Sequence, residues 1–167
     1  AVMDNIARVT DHQRKMLEET RDPNANRRAL TVIPRTDGQI YYKDSDGVYW
    51  RTYLYINRAS TFDAIENLQQ AREVARAFGN FQQLLADLPG EPLHETIPDF
   101  HNARKRFDDL MQVVEEDLKN RAFLVRDEID FVERREHLAD VLRQLIVRGE
   151  LPIRTTHNDA KLNNVMI

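Results

Sequence analysis

The stretch His157-Asn158-Asp159-Ala160-Lys161-Leu162-Asn163-Asn164-Val165-Met166-Ile167 sets an imidazole, a carboxylate, an ammonium and three amides within eight residues, then turns apolar. A polar loop running into a β-rich tail is the expected form, with Val165 to Ile167 as the start of a strand. The spacing is specific. Lys161 follows Asp159 by two residues and Asn164 by five, so acid, cation and amide can gather around one small volume. The same residues also suit an Asx-rich turn, in which Asn and Asp side chains satisfy their own backbone.

Upstream of the loop the chain reads as helical. Ile129, Val132, Leu138, Val141, Leu142, Leu145 and Ile146 trace one long helical pattern, with Gly149 placed to follow its last turn and Pro152 just beyond. An earlier pattern through Phe107, Leu110, Val113, Val114 and Leu118 starts after Asp99. Before that, Ser60, Thr61 or Asp63 can cap a helix reaching about Leu88, and Pro89-Gly90 stops it. In that helix Phe78 and Phe81 read as core packing. Arg104-Lys105-Arg106 and Glu115-Glu116-Asp117 read as solvated faces, because successive helical residues point in different directions.

Residues 30–56 have another texture. Leu30 to Ile33 is a β-rich run, Asp37-Gly38 and Asp46-Gly47 are turn pairs, and Val48 to Ile56 is rich in Tyr, Trp and Thr. These predict a three-stranded antiparallel patch with Trp50 and several tyrosines packed on it. The first twenty residues predict a helix, since Met3, Ile6, Val9, Met16 and Leu17 recur at helical steps, and Pro23-Asn24 ends the pattern. The fold class is therefore α+β: an N-terminal helix, a small antiparallel sheet and a mainly helical remainder.

Composition narrows the partners. The 167 residues carry 24 Lys and Arg against 28 Asp and Glu, a formal net charge of −4, so no basic footprint for nucleic acid exists. No apolar run reaches the roughly 18–20 residues of a membrane span, and the opening residues do not form a signal peptide. Cys is absent, which removes disulfides, thiolate metal sites and thiol nucleophiles and suits a reducing, cytoplasmic setting. His12, His94, His101 and His137 are scattered with no metal-ligand spacing.

Phosphoryl transfer to a hydroxyl needs the residue types gathered after His157. A carboxylate orients the hydroxyl and accepts its proton, a lysine offsets charge on the moving phosphoryl group, and an amide oxygen helps hold Mg²⁺. The order of elements, ending in His-x-Asp-x-x-x-x-Asn, resembles the protein-kinase-like fold of the aminoglycoside phosphotransferase/choline kinase superfamily. Tyr49-Trp50-Arg51-Thr52-Tyr53, Ala77-Phe78-Gly79-Asn80-Phe81, Thr96-Ile97-Pro98-Asp99-Phe100-His101 and His157 to Val165 resemble the branch that contains N-acetylhexosamine 1-kinase.

The resemblance implies ATP and Mg²⁺ as cofactors and a small-molecule hydroxyl acceptor, a sugar first. Asp159 matches the catalytic base, Lys161 the position near the γ-phosphate, Asn164 the Mg²⁺-binding amide and His157 the histidine that braces the loop. Tyr55 and Ile56 fall where the hinge holds adenine through backbone groups. Residues 1–57 correspond to part of an N-lobe and 58–167 to part of a C-lobe. Ala160 departs from the threonine expected there, which removes one loop hydroxyl.

Two parts of the kinase pattern are not found in these residues. All five glycines are isolated, so no Gly-rich phosphate loop exists, and no aspartate-bearing strand follows Ile167. The expectation is an internal segment of a longer kinase, inactive by itself. Exposed sheet edges would then be covered by the missing segments or by a second copy. An amino alcohol or an antibiotic is the alternative acceptor, and a non-catalytic kinase-fold interaction module the alternative function.

Overall fold

The computed structural model describes all 167 residues. Two compact units divide the chain: Ala1–Thr96 together with Arg154–Ile167, and Ile97–Ile153. The expected lobe boundary near residue 57 falls inside the first unit.

Helix α1 spans Val2–Glu19, as its periodicity predicts. It buries Leu17 at 2% exposure and also Thr10, whose hydroxyl donates to the Ile6 carbonyl at 2.8 Å. A short α2, Ala25–Arg28, follows the Pro23-Asn24 break. Leu17, Ala29 and Leu85 form the buried apolar centre of this unit. The polar side of α1 is stitched to the segment after α3 (Leu68–Leu84). Asn5 exchanges two hydrogen bonds with the His94 backbone, at 2.8 and 2.9 Å, so one amide side chain mimics a strand partner. Arg8 donates to the carbonyls of Pro89 and Glu91, and His12 meets Asp87 at 3.3 Å.

The expected three-stranded patch is instead two separate antiparallel pairs. Strand β1 (Val32–Ile33) pairs with β4 (Thr52–Tyr53), and β2 (Tyr42–Lys43) pairs with β3 (Tyr49–Trp50). The cause lies at Asp37-Gly38. Residues 35–39 close on themselves, with the Arg35 N–H donating to the Gln39 carbonyl at 2.8 Å, so β1 cannot continue into β2. The Asp46-Gly47 turn forms as predicted, with Gly47 at φ +83° and the Asp44 N–H donating to the Val48 carbonyl. Trp50 and Tyr49 do not pack into a core: they are 60% and 63% exposed, and the Trp50 indole donates to Asp44 instead.

Helix α3 begins at Leu68 and not at Ser60, Thr61 or Asp63. Asn67 caps it, accepting from the Gln70 N–H at 2.9 Å, while the Gln70 side chain accepts from the Glu66 N–H. Ser60 is committed elsewhere. Its N–H and C=O exchange hydrogen bonds with Ile167, both at 2.9 Å, which holds residues near 60 extended. The helix also stops at Leu84, short of the expected Leu88.

In the second unit, α4 (Ala103–Glu116) is capped by Asn102 rather than Asp99. The long pattern expected from Ile129 to Ile146 breaks into α5 (Arg126–Glu133) and α6 (Val141–Val147), joined by a 3₁₀ turn. The Arg135 side chain lies over the Phe131 ring and takes the Phe131 carbonyl at 2.9 Å, so the Arg135 N–H shifts to the Val132 carbonyl. That shift tightens the helix into a 3₁₀ turn.

Arg104 holds the new turn in place. It pairs with Asp140 at 2.8 Å and with the Glu136 carboxylate at 2.9 Å, and it also binds the Glu136 carbonyl. At Asp140, burial opposes ionisation, but hydrogen bonds from Arg104 and Arg143 outweigh it and hold the carboxyl below its ordinary range. Arg104 is therefore a clamp, not a residue on a solvated face. Gly149, at φ +74°, ends α6 in a Schellman motif: its own N–H donates to Ile146 and that of Glu150 to Leu145.

Candidate active site

The polar loop Arg154–Lys161 has no regular structure and leads into a 3₁₀ turn, Leu162–Asn164. No strand follows. Val165 is extended, and Ile167 alone pairs, with Ser60, so the strand expected at Val165 to Ile167 is reduced to one backbone bridge.

Asn158 lies in the left-handed region at φ +60°, a conformation that Asn tolerates better than most residues. The Thr156 hydroxyl donates to the Asn158 side chain and supports this kink. Beyond it, Asp159 turns toward Asn164. The Asn164 amide nitrogen donates to the Asp159 carbonyl and to Asp159 Oδ2, both at 2.8 Å. Both partners are acceptors, so the amide nitrogen must face them, and Asn164 Oδ1 is left free. Lys161 Nζ approaches the same Asp159 Oδ2 at 3.1 Å, while Asp159 Oδ1 has no partner.

Three of the expected site residues, Asp159, Lys161 and Asn164, therefore come together. The Asn164 hydrogen bond, then that of Lys161, with the Lys161 and His157 charges behind them, hold the Asp159 carboxyl below its ordinary range. The group is an anion at neutral pH, with one oxygen occupied and one available. Such a carboxylate can accept a hydrogen bond from a hydroxyl and fix its direction.

His157 contacts the scaffold through its ring. Its imidazole lies edge-on to Phe78 and Phe81 of α3, with both ring centroids 5.4 Å away. The i, i+3 spacing of the two phenylalanines read as core packing, and in the structure they hold the loop histidine. Arg154 makes a second tie to the same helix end by donating to the Ala86 carbonyl at 3.2 Å. Sequence spacing gives no signal for that partner, because 68 residues separate the two.

Tyr55 and Ile56 lie between two anchors. The Leu54 N–H donates to the Thr31 carbonyl at 2.8 Å, and Arg27 donates to the Asn57 carbonyl at 2.7 Å. The main-chain groups of Tyr55 and Ile56 have no hydrogen-bond partner, and the Tyr55 side chain is 85% exposed. Ile56, His157 and Asn164 line one cavity of about 790 Å³, together with Arg27 and Arg76, which sequence reasoning missed. Asp159, Lys161 and Tyr55 do not line it. The two arginines are already engaged, Arg27 with Asn57 and Arg76 with Glu73.

No helix is long and apolar enough to cross a membrane. The family model for the phosphotransferase enzyme family matches residues 15–167, a span that runs from within α1 through the whole Asp159–Asn164 cluster. The chain belongs to the phosphotransferase enzyme family.

Proposed function

We propose that the protein is an ATP- and Mg²⁺-dependent kinase that phosphorylates a sugar hydroxyl, with an N-acetylhexosamine as the first acceptor to test. The observation that carries this reading is the division of labour at Asp159: Oδ2 is held by Asn164 and Lys161, and Oδ1 is free. A hydroxyl seated on Oδ1 donates its proton there as its oxygen bonds to the γ-phosphorus and the bond from phosphorus to the ADP oxygen breaks. A loose transition state asks little proton abstraction of the carboxylate, so one of lowered basicity suffices. Its main contribution is orientation.

Lys161 lies close enough to Asp159 to offset charge on the transferred group. The free Asn164 Oδ1 is a hard oxygen donor, the type that Mg²⁺ prefers. When bound, Mg²⁺ supplies charge neutralisation on the phosphate oxygens. The unpartnered main chain of Tyr55 and Ile56 fits an adenine edge, and Ile56 shares its cavity with Asn164. On this reading the segment up to residue 57 is N-lobe and the remainder C-lobe.

The test uses the full-length protein, labelled ATP and a panel of sugars, amino alcohols and aminoglycosides. Transfer to an N-acetylhexosamine, abolished in Asp159→Asn with nucleotide affinity retained, is the expected result. Transfer only to an amino alcohol or an aminoglycoside moves the acceptor assignment. No transfer to any acceptor, or full turnover by Asp159→Asn, ends the kinase reading.

A further inference from the structure

We infer that Phe78 and Phe81 are positioning residues for the polar loop: their rings both meet the His157 imidazole edge-on and so fix the backbone that presents Asp159. The inference rests on the reading of Asp159 as the group that orients the acceptor.

Regular structure does not hold this loop. From Thr155 to Lys161 no residue lies in a helix or strand, and His157, Asp159 and Lys161 are all exposed. Its ends are tied to the scaffold at Arg154, through the Ala86 carbonyl, and at Ile167, through Ser60. Between those ties the hydrogen bonds are internal to the loop: Thr156 to Asn158, the Lys161 N–H to the Asp159 carbonyl, and Asn164 to Asp159. Such bonds set the shape of the loop but not its place on the protein. The ring contact of His157 supplies the place.

The geometry suits that task. Phe78 and Phe81 stand one helical turn apart on α3 and meet the imidazole at interplanar angles of 75° and 72°. Edge-on contacts at centroid distances of this size are the favoured arrangement of aromatic pairs. The imidazole touches both rings at once, so a movement that breaks neither contact is small. Helix α3 is a firm base, capped at Asn67 and anchored by the buried Leu85 that follows it.

His157 is two residues from Asp159, at most about 7 Å away along the chain, so a small tilt of the imidazole becomes a displacement of the carboxylate. Misplacing a reacting group by 1 Å can cost about a hundredfold in rate.

The experiment compares Phe78→Leu, Phe81→Leu and their double variant with Phe78→Tyr and Phe81→Tyr in the full-length protein. The double leucine variant is expected to lose about a hundredfold in kcat while KM for ATP stays within about twofold, and each single variant about tenfold. The tyrosine variants keep the ring edge and are expected to retain kcat, which a general packing role does not predict. Independently of turnover, the His157 ring protons should show ring-current-shifted NMR resonances that return to ordinary positions in the double leucine variant. Thermal melts identify any variant that fails to fold, and the tyrosine variants then carry the comparison.

Unchanged kcat in the double leucine variant, beside an inactive Asp159→Asn control, overturns the inference and leaves the kinase reading intact. Equal losses in the tyrosine and leucine variants also overturn it. Absence of transfer by the unmodified protein counts against the kinase reading alone. In that case the NMR shift decides the clamp, and ordinary His157 resonances refute it.

Discussion

Asp44 in the β2–β3 hairpin and Asp159 in the polar loop are both held below the ordinary carboxylate range, yet they are built differently. Asp44 Oδ2 accepts from the Trp50 indole at 2.7 Å, and Oδ1 accepts from the Asp46 and Val48 N–H groups at 3.0 and 2.8 Å. Every donor is neutral, every donor lies within six residues, and neither oxygen is left over. Asp159 also has a local amide donor, but its second partner is the charged Lys161, and its Oδ1 is free. A lowered pKa is therefore shared by two carboxylates of different build. What differs at Asp159 is the unoccupied oxygen, which leaves the group something to bind.

Exchanging each carboxylate for its amide is the strongest way to break this contrast. Asp159→Asn is expected to lower kcat by about 10³-fold and to leave the melting temperature nearly unchanged, as removal of a group acting mainly in the transition state should. Asp44→Asn should do the reverse, lowering the melting temperature with kcat intact. Steady-state transfer assays and thermal melts on both variants check this. A turnover defect in Asp44→Asn would mean that the hairpin belongs to the site.

Next in size are the two left-handed residues beside these carboxylates, Asn158 at φ +60° and Gly47 at φ +83°. Asn158→Val and Gly47→Val each place a β-branched side chain in that conformation, at a cost of about 1–2 kcal/mol in stability, measured by denaturant titration. Only Asn158→Val should also reduce turnover, while Asn158→Gly retains it.

A smaller effect is spectroscopic. Trp50 is the only tryptophan, so its fluorescence reports the Asp44 contact. The folded-state pKa of Asp44 is depressed, chiefly by the Trp50 hydrogen bond and then by that of Val48. Protonation therefore favours the open hairpin. Its stabilisation is complete above the unfolded-state pKa and is lost as pH falls through the lower folded value, so emission should be steady down to about pH 4 and change only below it. A transition near neutrality would contradict the assigned contact.

The smallest change is expected at Ser60→Ala. The bridge to Ile167 uses only the Ser60 backbone, so stability and turnover should both be unaffected, whereas Ser60→Pro removes the donor and should loosen the loop. Hydrogen exchange at Ile167 distinguishes the two variants.

What the sequence discloses follows the range of the interactions. Helix α1, the Asp46-Gly47 turn and the Gly149 helix end are set by neighbours a few residues apart, and each forms where its pattern predicts. The Asp159–Asn164 contact is equally local, and the motif spacing announces it. Ser60 reads as a helix cap from nearby residues, but a backbone more than a hundred positions away claims it. The helical pattern from Ile129 to Ile146 is continuous in hydrophobicity, and Arg104 and Arg135 divide it by taking carbonyls that the helix would use. Phe78 and Phe81 look like ordinary core residues because nothing at i, i+3 spacing names a histidine 76 positions on. Arginine forks and aromatic edges act across such distances without leaving a period in the sequence.

The stitching of α1 to the segment after α3 has a mechanical consequence. Asn5, Arg8 and His12 fasten the helix to residues 87–94, and this strap begins one residue after Ala86, whose carbonyl holds Arg154 at the head of the polar loop. Gly90 allows little slack: it sits at φ +90°, and an added Cβ there would meet Arg8 Nη2 at 3.3 Å. Helix, strap and loop thus form a short linkage. Torque on α1 passes through guanidinium and amide rivets to the point from which the loop carrying Asp159 is hung.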